Sequence, residues 1–327
     1  MANKVALIFV FNHKFDKNIE VLEKIYKERF SHIYHLVPFY NGNKPNVIPV
    51  YDSSQHFQGY LAQGLKHYFD EEYEHYFFVG DDLILNPGIN ENNYKDYFKL
   101  TNDASFIPEI FNLHNLTNND TLRFLPVNKL TGKSAKWYWC KITEFIKTYR
   151  HSMYGVENNK EMPSYGEAEA ILKNHGYDVK PCDYYDMYGG VFPLNSATVK
   201  FVSHSKSYFK KFWLPYPVVG SYSDIVIVSK FSIKNFCHYC GVFATNKLFV
   251  EFAIPTALLL ASNNVITEPR IGKRGNIYWL YTKKEVEKYQ DDMKPYNNNL
   301  KELLKKFPED KLYIHPIKLS KWKTEMA

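Results

Sequence analysis

Residues Val5–Phe11 are apolar without a break and end in Asn12-His13-Lys14. A run of that kind, with no polar alternation, suits a parallel strand covered on both faces. Only Lys4 precedes it as a charged residue, so it does not read as a secretion signal. Within residues 16–30, Ile19, Leu22, Ile25 and Tyr26 recur at helical spacing. The alternation continues with strands at Ile33–Phe39 and Val47–Tyr51 and a helix at Gln58–Phe69. A fourth strand is expected at Tyr76–Leu85, closed by the turn residues Asn86-Pro87-Gly88. This order predicts an α/β, Rossmann-like sheet flanked by helices, with ligands at the carboxyl ends of the strands.

The middle of the chain breaks this pattern. Between about 105 and 180, helices at Trp137–Arg150 and Glu167–Asn174 stand among polar loops and suggest a helical insertion. Strands are expected again at 183–203 and 224–228, and helices at Ser232–Phe236 and Leu248–Leu260. The tail carries helices at Lys283–Tyr289 and Asn299–Phe307 and a strand at Leu312–Ile314. Residues 1–265 are read as the main domain and 266–327 as a C-terminal extension added to it. The extension holds 14 basic and 9 acidic groups, so most of the chain's net charge of +6 resides there. That excess is too mild to imply nucleic acid, although a basic tail can touch a membrane surface peripherally. The longest apolar run, Phe252–Ala261, is too short to span a bilayer. Four cysteines in 327 residues fit a reducing, cytoplasmic setting.

The most informative stretch is Phe77-Phe-Val-Gly-Asp-Asp-Leu-Ile-Leu. Two adjacent carboxylates at the end of an apolar strand are costly near a core unless they meet a cation or cap a turn. Oxygen ligands of this kind suit Mg²⁺ or Mn²⁺. Glu251 interrupts an equally apolar segment and needs a partner or a task. Asp224 opens the strand Ile-Val-Ile-Val. Arg270, Lys273 and Arg274, beside Gly272 and Gly275, form a basic loop that either closes over an anion or lies in solvent. Cys237-His-Tyr-Cys240 has no second ligand pair nearby and reads as buried small residues.

Val5–Asn12, Val47–Ser53, Gln58–Phe69 and Phe77–Asp82 resemble, in order and content, the nucleotide-binding half of GT-A fold glycosyltransferases. The likeness covers residues 4–90 well and 183–260 more loosely. The usual acidic triplet reads Gly80-Asp81-Asp82 here, so its first carboxylate is missing. The resemblance implies a divalent metal, Mn²⁺ or Mg²⁺, at Asp82, with His315 as a late ligand that makes up for position 80. It implies donor binding by Asn12, His13, Asp52, Ser53, Asp81 and Lys318, with Arg270 and Arg274 over the diphosphate. Asp52 would accept from the imide of uracil, which favours UDP. Glu251, or more weakly Asp224, would deprotonate or orient a saccharide acceptor. The implied activity is a hexosyltransferase-like transfer in bacterial surface polysaccharide synthesis, such as lipopolysaccharide or capsule, at the cytoplasmic side of the inner membrane. Two alternatives stay open: a sugar nucleotidyltransferase, and a non-catalytic saccharide- or nucleotide-binding protein of the same fold.

Overall fold

The computed structural model describes residues 4–112, 161–179, 216–278, 280 and 283–325. Strand β1 (Val5–Val10) leads through α1 (Lys17–Tyr26) to β2 (His32–Pro38) and β3 (Val47–Val50). Helix α2 (Gln58–Tyr68) returns the chain to β4 (His75–Gly80), followed by β5 (Ile84–Leu85), α3 (Tyr94–Phe98), β6 (Ser105–Phe106) and β7 (Phe111–Asn112). After α4 (Tyr165–Asn174) come β8 (Val219–Gly220), β9 (Ile225–Ser229), α5 (Ile233–Thr245), α6 (Val250–Ala261) and β10 (Val265–Ile266). The remaining elements are α7 (Glu268–Ile271), β11 (Arg274–Ile277), α8 (Lys283–Met293), α9 (Leu300–Lys305) and β12 (Lys311–His315).

The main sheet has seven strands in the order β10-β6-β9-β4-β1-β2-β3. Strands β4, β1, β2 and β3 run parallel, whereas β9 lies antiparallel between β4 and β6. The fold is therefore α/β with a mixed sheet. Successive side chains of a strand point to opposite faces, and both faces of β1 are covered. Ala6, Ile8 and Val10 join one core with Leu61, Phe236, Phe243 and Leu258 from α2, α5 and α6. Val5, Leu7 and Phe9 join the other with Leu22 of α1, Phe98 of α3, and Leu312 and Ile314 of β12. This double burial explains why the run Val5–Phe11 tolerates no polar position. The segment after residue 266 thus packs into the same core as the first strand.

Three expectations need correction. Tyr76–Leu85 is not one strand: β4 stops at Gly80, and the Leu83 amide donates back to the Gly80 carbonyl at 3.0 Å. Ile84–Leu85 then enters a second sheet, β11-β12-β5, antiparallel to β12. Both β4 and β5 are buried, so the apolar pattern runs through a turn that only the two aspartates mark. The helix expected at Ser232–Phe236 continues to Thr245, with Cys237 and Cys240 on its buried face. The basic segment at Arg270–Gly275 is not an open loop. It ends α7, turns at Gly272 in the left-handed region (φ +82°) and enters β11. That conformation is open to glycine at little cost.

The structure places a helix at Tyr165–Asn174, where Ser164 forms a capping box with Glu167. The expectations for Trp137–Arg150 and for 183–203 lie outside the described residues. Among the described residues, no helix is long and apolar enough to cross a membrane.

Candidate metal and ligand site

The carboxyl ends of β1 and β4 meet the start of β9 at one point. The Gly80 amide donates to the Asp224 carbonyl at 2.8 Å, extending the antiparallel pairing of β4 with β9. The next amide, that of Asp81, donates to the Val10 carbonyl of β1 at 3.1 Å. The Asp82 carbonyl accepts the Ile317 amide at 2.6 Å, which fixes the segment after β12 against the turn. Backbone bonding alone therefore draws residues 82, 224 and 315 together.

Their side chains form a compact donor set. One ligand atom each from Asp82, Asp224 and His315 lies within 4.8 Å of the others. Asp82 Oδ1 faces His315 Nε2 at 3.2 Å, and Asp82 Oδ2 accepts a hydrogen bond from Lys318 Nζ. Asp82 is only 5% exposed. Burial alone would raise its carboxyl, but the hydrogen bonds and positive charges of His315 and Lys318 outweigh that and hold it well below the usual carboxylate range. On His315, burial disfavours the imidazolium, but the Asp224 and Asp82 carboxylates more than offset it and raise the ring. Asp224 is itself raised, first by burial, with His315 opposing.

Two carboxylate oxygens and one imidazole nitrogen are a donor set that Mn²⁺ accepts readily and Mg²⁺ tolerates. Gly80 supports this fit. A Cβ at that position would lie 3.3 Å from Asp224 Oδ1 and 3.5 Å from Asp82 Oδ1. A side chain at position 80 would crowd the donors, so the missing first carboxylate leaves space that Asp224 enters from β9. The sequence pointed to His315 for that compensation and to Asp224 for acceptor binding; the structure brings both into the cluster.

Asp81 turns the other way. Its Oδ2 accepts from Asn18 Nδ2 of α1 at 3.0 Å. Burial and the adjacent Asp82 charge push its carboxyl up to about 7, against the hydrogen bonds from Asn18 and Asn12. Asp81 joins strand ends to α1 and is not part of the donor cluster.

Beside the cluster lies a cavity of about 230 Å³ whose walls include Asn12, His13, Gln55, Phe57, Asp224 and Glu251. Glu251 is 7% exposed in the first turn of α6, and its position has a specific cause. Pro255 inside α6 has no N–H to give the Glu251 carbonyl four residues earlier. The Ser221 amide takes that place at 2.9 Å and ties the start of α6 to the segment just before Asp224. The two acidic side chains thereby share one wall.

Other expected residues are occupied elsewhere. Asp52 Oδ1 accepts the Ser53 amide at 2.6 Å, and Ser53 Oγ accepts the Gln55 amide at 3.3 Å. Both residues shape the turn that delivers Gln55 and Phe57 to the cavity. Arg270 donates to the Val265 carbonyl at 3.2 Å. Arg274 pairs in register with Lys311, whereas His315 pairs with Ile277 at the other end of β11. Four residues of strand separate Lys311 from His315, about 13 Å, so neither arginine is brought to the cluster. The sequence did not single out Asn18, Gln55, Phe57 or Ser223, which look like ordinary turn and helix residues until the strands are assembled. Compared with protein-family models, curated proteins and solved structures, the chain has no match, so the site speaks through its own geometry.

Proposed function

We propose that the chain is a GT-A type, metal-assisted glycosyltransferase that moves a sugar from a nucleotide diphosphate, UDP favoured, to a saccharide hydroxyl. The assignment to bacterial surface polysaccharide synthesis on the cytoplasmic side of the membrane belongs to the same proposal. The observation that carries it is the Asp82–Asp224–His315 cluster at the strand ends, opening beside a cavity that also holds Glu251. A divalent ion in the cluster would supply positive charge for the departing diphosphate, the term that dominates such transfers.

The chain's own residues have separable tasks in this reading. Asp82, Asp224 and His315 hold the ion. Asn12 and His13, at the end of β1, line the cavity that receives the donor. Glu251, on the same wall as Asp224, takes the proton from the acceptor hydroxyl as it attacks the sugar carbon. Phe57, in that lining, offers an apolar face to a sugar ring.

Calorimetric titration of UDP, GDP and CMP, each with and without Mn²⁺, tests the proposal on wild type and Asp82→Asn. Metal-dependent binding of one nucleotide, lost in the variant, supports it. Binding of none overturns the catalytic reading in favour of a saccharide-binding protein.

A further inference from the structure

In the structure, the donor cluster already has a cation. Lys318 Nζ is hydrogen-bonded to Asp82 Oδ2, the same carboxylate that faces His315. The two partners differ sharply in freedom. Asp82 side-chain exposure is 7%, and the turn around it is fixed on three sides by the Leu83, Asp81 and Ile317 amides. The Lys318 side chain is 54% exposed and stands just before a short 3₁₀ turn, Leu319–Lys321. A long, flexible, strongly hydrated ammonium can leave such a contact for water, whereas the buried carboxylate cannot follow it.

A divalent ion bound by Asp82 and an ammonium on the same carboxylate repel strongly at this range. From this we infer that Lys318 is a tethered cation exchanged for the metal: it neutralises Asp82 in the metal-free protein and is released toward the ligand's anionic groups when the metal binds. The inference rests on the metal-site reading above. Its consequence is coupling. Metal entry costs the Lys318–Asp82 pair, and an anionic ligand that receives the freed ammonium offsets that cost. Metal and diphosphate then favour each other's binding by the same factor. The exchange also adds to the His315 contact, so that a second positive group always stands at the buried Asp82 carboxylate.

The test is calorimetric titration of Mn²⁺ alone into metal-stripped wild type, Lys318→Met and Lys318→Arg. The half-exposed position lets each variant fold, which circular dichroism checks. Lys318→Met should bind Mn²⁺ about fivefold or more tighter than wild type, because the competing charge is gone. UDP titrated into the Mn²⁺-saturated proteins should bind Lys318→Met about tenfold more weakly, while Lys318→Arg stays close to wild type in both assays. If wild type binds Mn²⁺ and Lys318→Met binds it no tighter, the exchange is overturned and the metal site stands. If wild type and both variants all fail to bind Mn²⁺, the metal site itself is overturned and the exchange with it.

Discussion

Asp224 Oδ1 lies 3.3 Å from the point where a Cβ on Gly80 would sit, so the last residue of β4 and the residue that leads into β9 crowd one side-chain space. The glycine that breaks the acidic triplet is the same one that admits a carboxylate from the next strand.

Gly80→Ala tests that sharing through its sign. Alanine in place of a strand glycine ordinarily stabilises by about 0.5–1 kcal/mol. Here the added methyl is tight against the Asp224 carboxylate alone, at 3.3 Å, and only touches Asp82, so we expect that gain to be cancelled and a net destabilisation of up to about 1 kcal/mol, read as a lower thermal midpoint in metal-free buffer. A raised midpoint would show that the space is not contested.

Asp224→Asn separates the metal-cluster role from the acceptor role first expected for it. Loss of a ligand should weaken Mn²⁺ binding by at least about tenfold, since even outer partners of a metal site commonly carry that much. Calorimetry with Mn²⁺ and no nucleotide decides the matter. An unchanged affinity would return Asp224 to acceptor binding alone.

Glu251→Gln should leave nucleotide and metal binding intact while lowering the rate of the proposed transfer by about 10²–10⁴. The amide keeps the shape of the wall and loses only the ability to take a proton. Equal loss of nucleotide affinity and rate would make Glu251 a binding residue instead.

The pH dependence of stability has a local source in β4. His75 Nε2 contacts the Ala104 carbonyl at 2.9 Å, and a carbonyl can only accept, so Nε2 carries the proton. Nδ1 therefore accepts from the Tyr94 hydroxyl at 2.8 Å. Burial lowers His75 to about 4, and the same cause lowers His35 to about 4. The folded state thus binds fewer protons than the unfolded chain. For His75 that stability is complete above about pH 6.5 and is lost as pH falls toward 4, on the order of 3 kcal/mol; for His35, which also faces Glu23, the direction is the same. Urea unfolding at pH 7.5 and 4.5 should show a smaller drop for His75→Gln than for wild type. Equal drops would remove His75 from the account.

The parts of the fold that follow local patterning were legible in the sequence. The apolar run of β1 and the spacing of Ile19, Leu22 and Ile25 in α1 needed no tertiary knowledge, while the helix expected from Glu167 starts two residues earlier, behind the Ser164 cap. The interruption of the fourth strand was hidden because the segments before and after it are equally buried, in two different sheets. Asp82, Asp224 and Glu251 each stood out as carboxylates in or beside apolar segments, whereas His315 was marked only by the family resemblance. The resemblance paired Asp82 with His315, but the entry of Asp224 into that group was not legible, because it depends on β9 running antiparallel beside β4, a pairing that leaves no local signal. Asp52 and Ser53 show the opposite case: strand-end polar residues are common, and these two each accept a backbone amide of the turn they build. Arg270 and Arg274 looked mobile because glycines flank them, yet one glycine caps a helix and the other enters a strand.

The junction at Asp82 also bears on how the chain acquires its site. The cluster's three donors come from residues 82, 224 and 315, and the last of them reaches the others only when β12 pairs with β5. Closing such long loops is slow compared with forming local helices. On a ribosome, Asp82 and Asp224 emerge well before β12, and a partly made chain offers two carboxylates with no imidazole to complete the set. Chelation strength would therefore rise only at the final docking step. An ion bound in this cluster would be a chemical record that the molecule had finished folding.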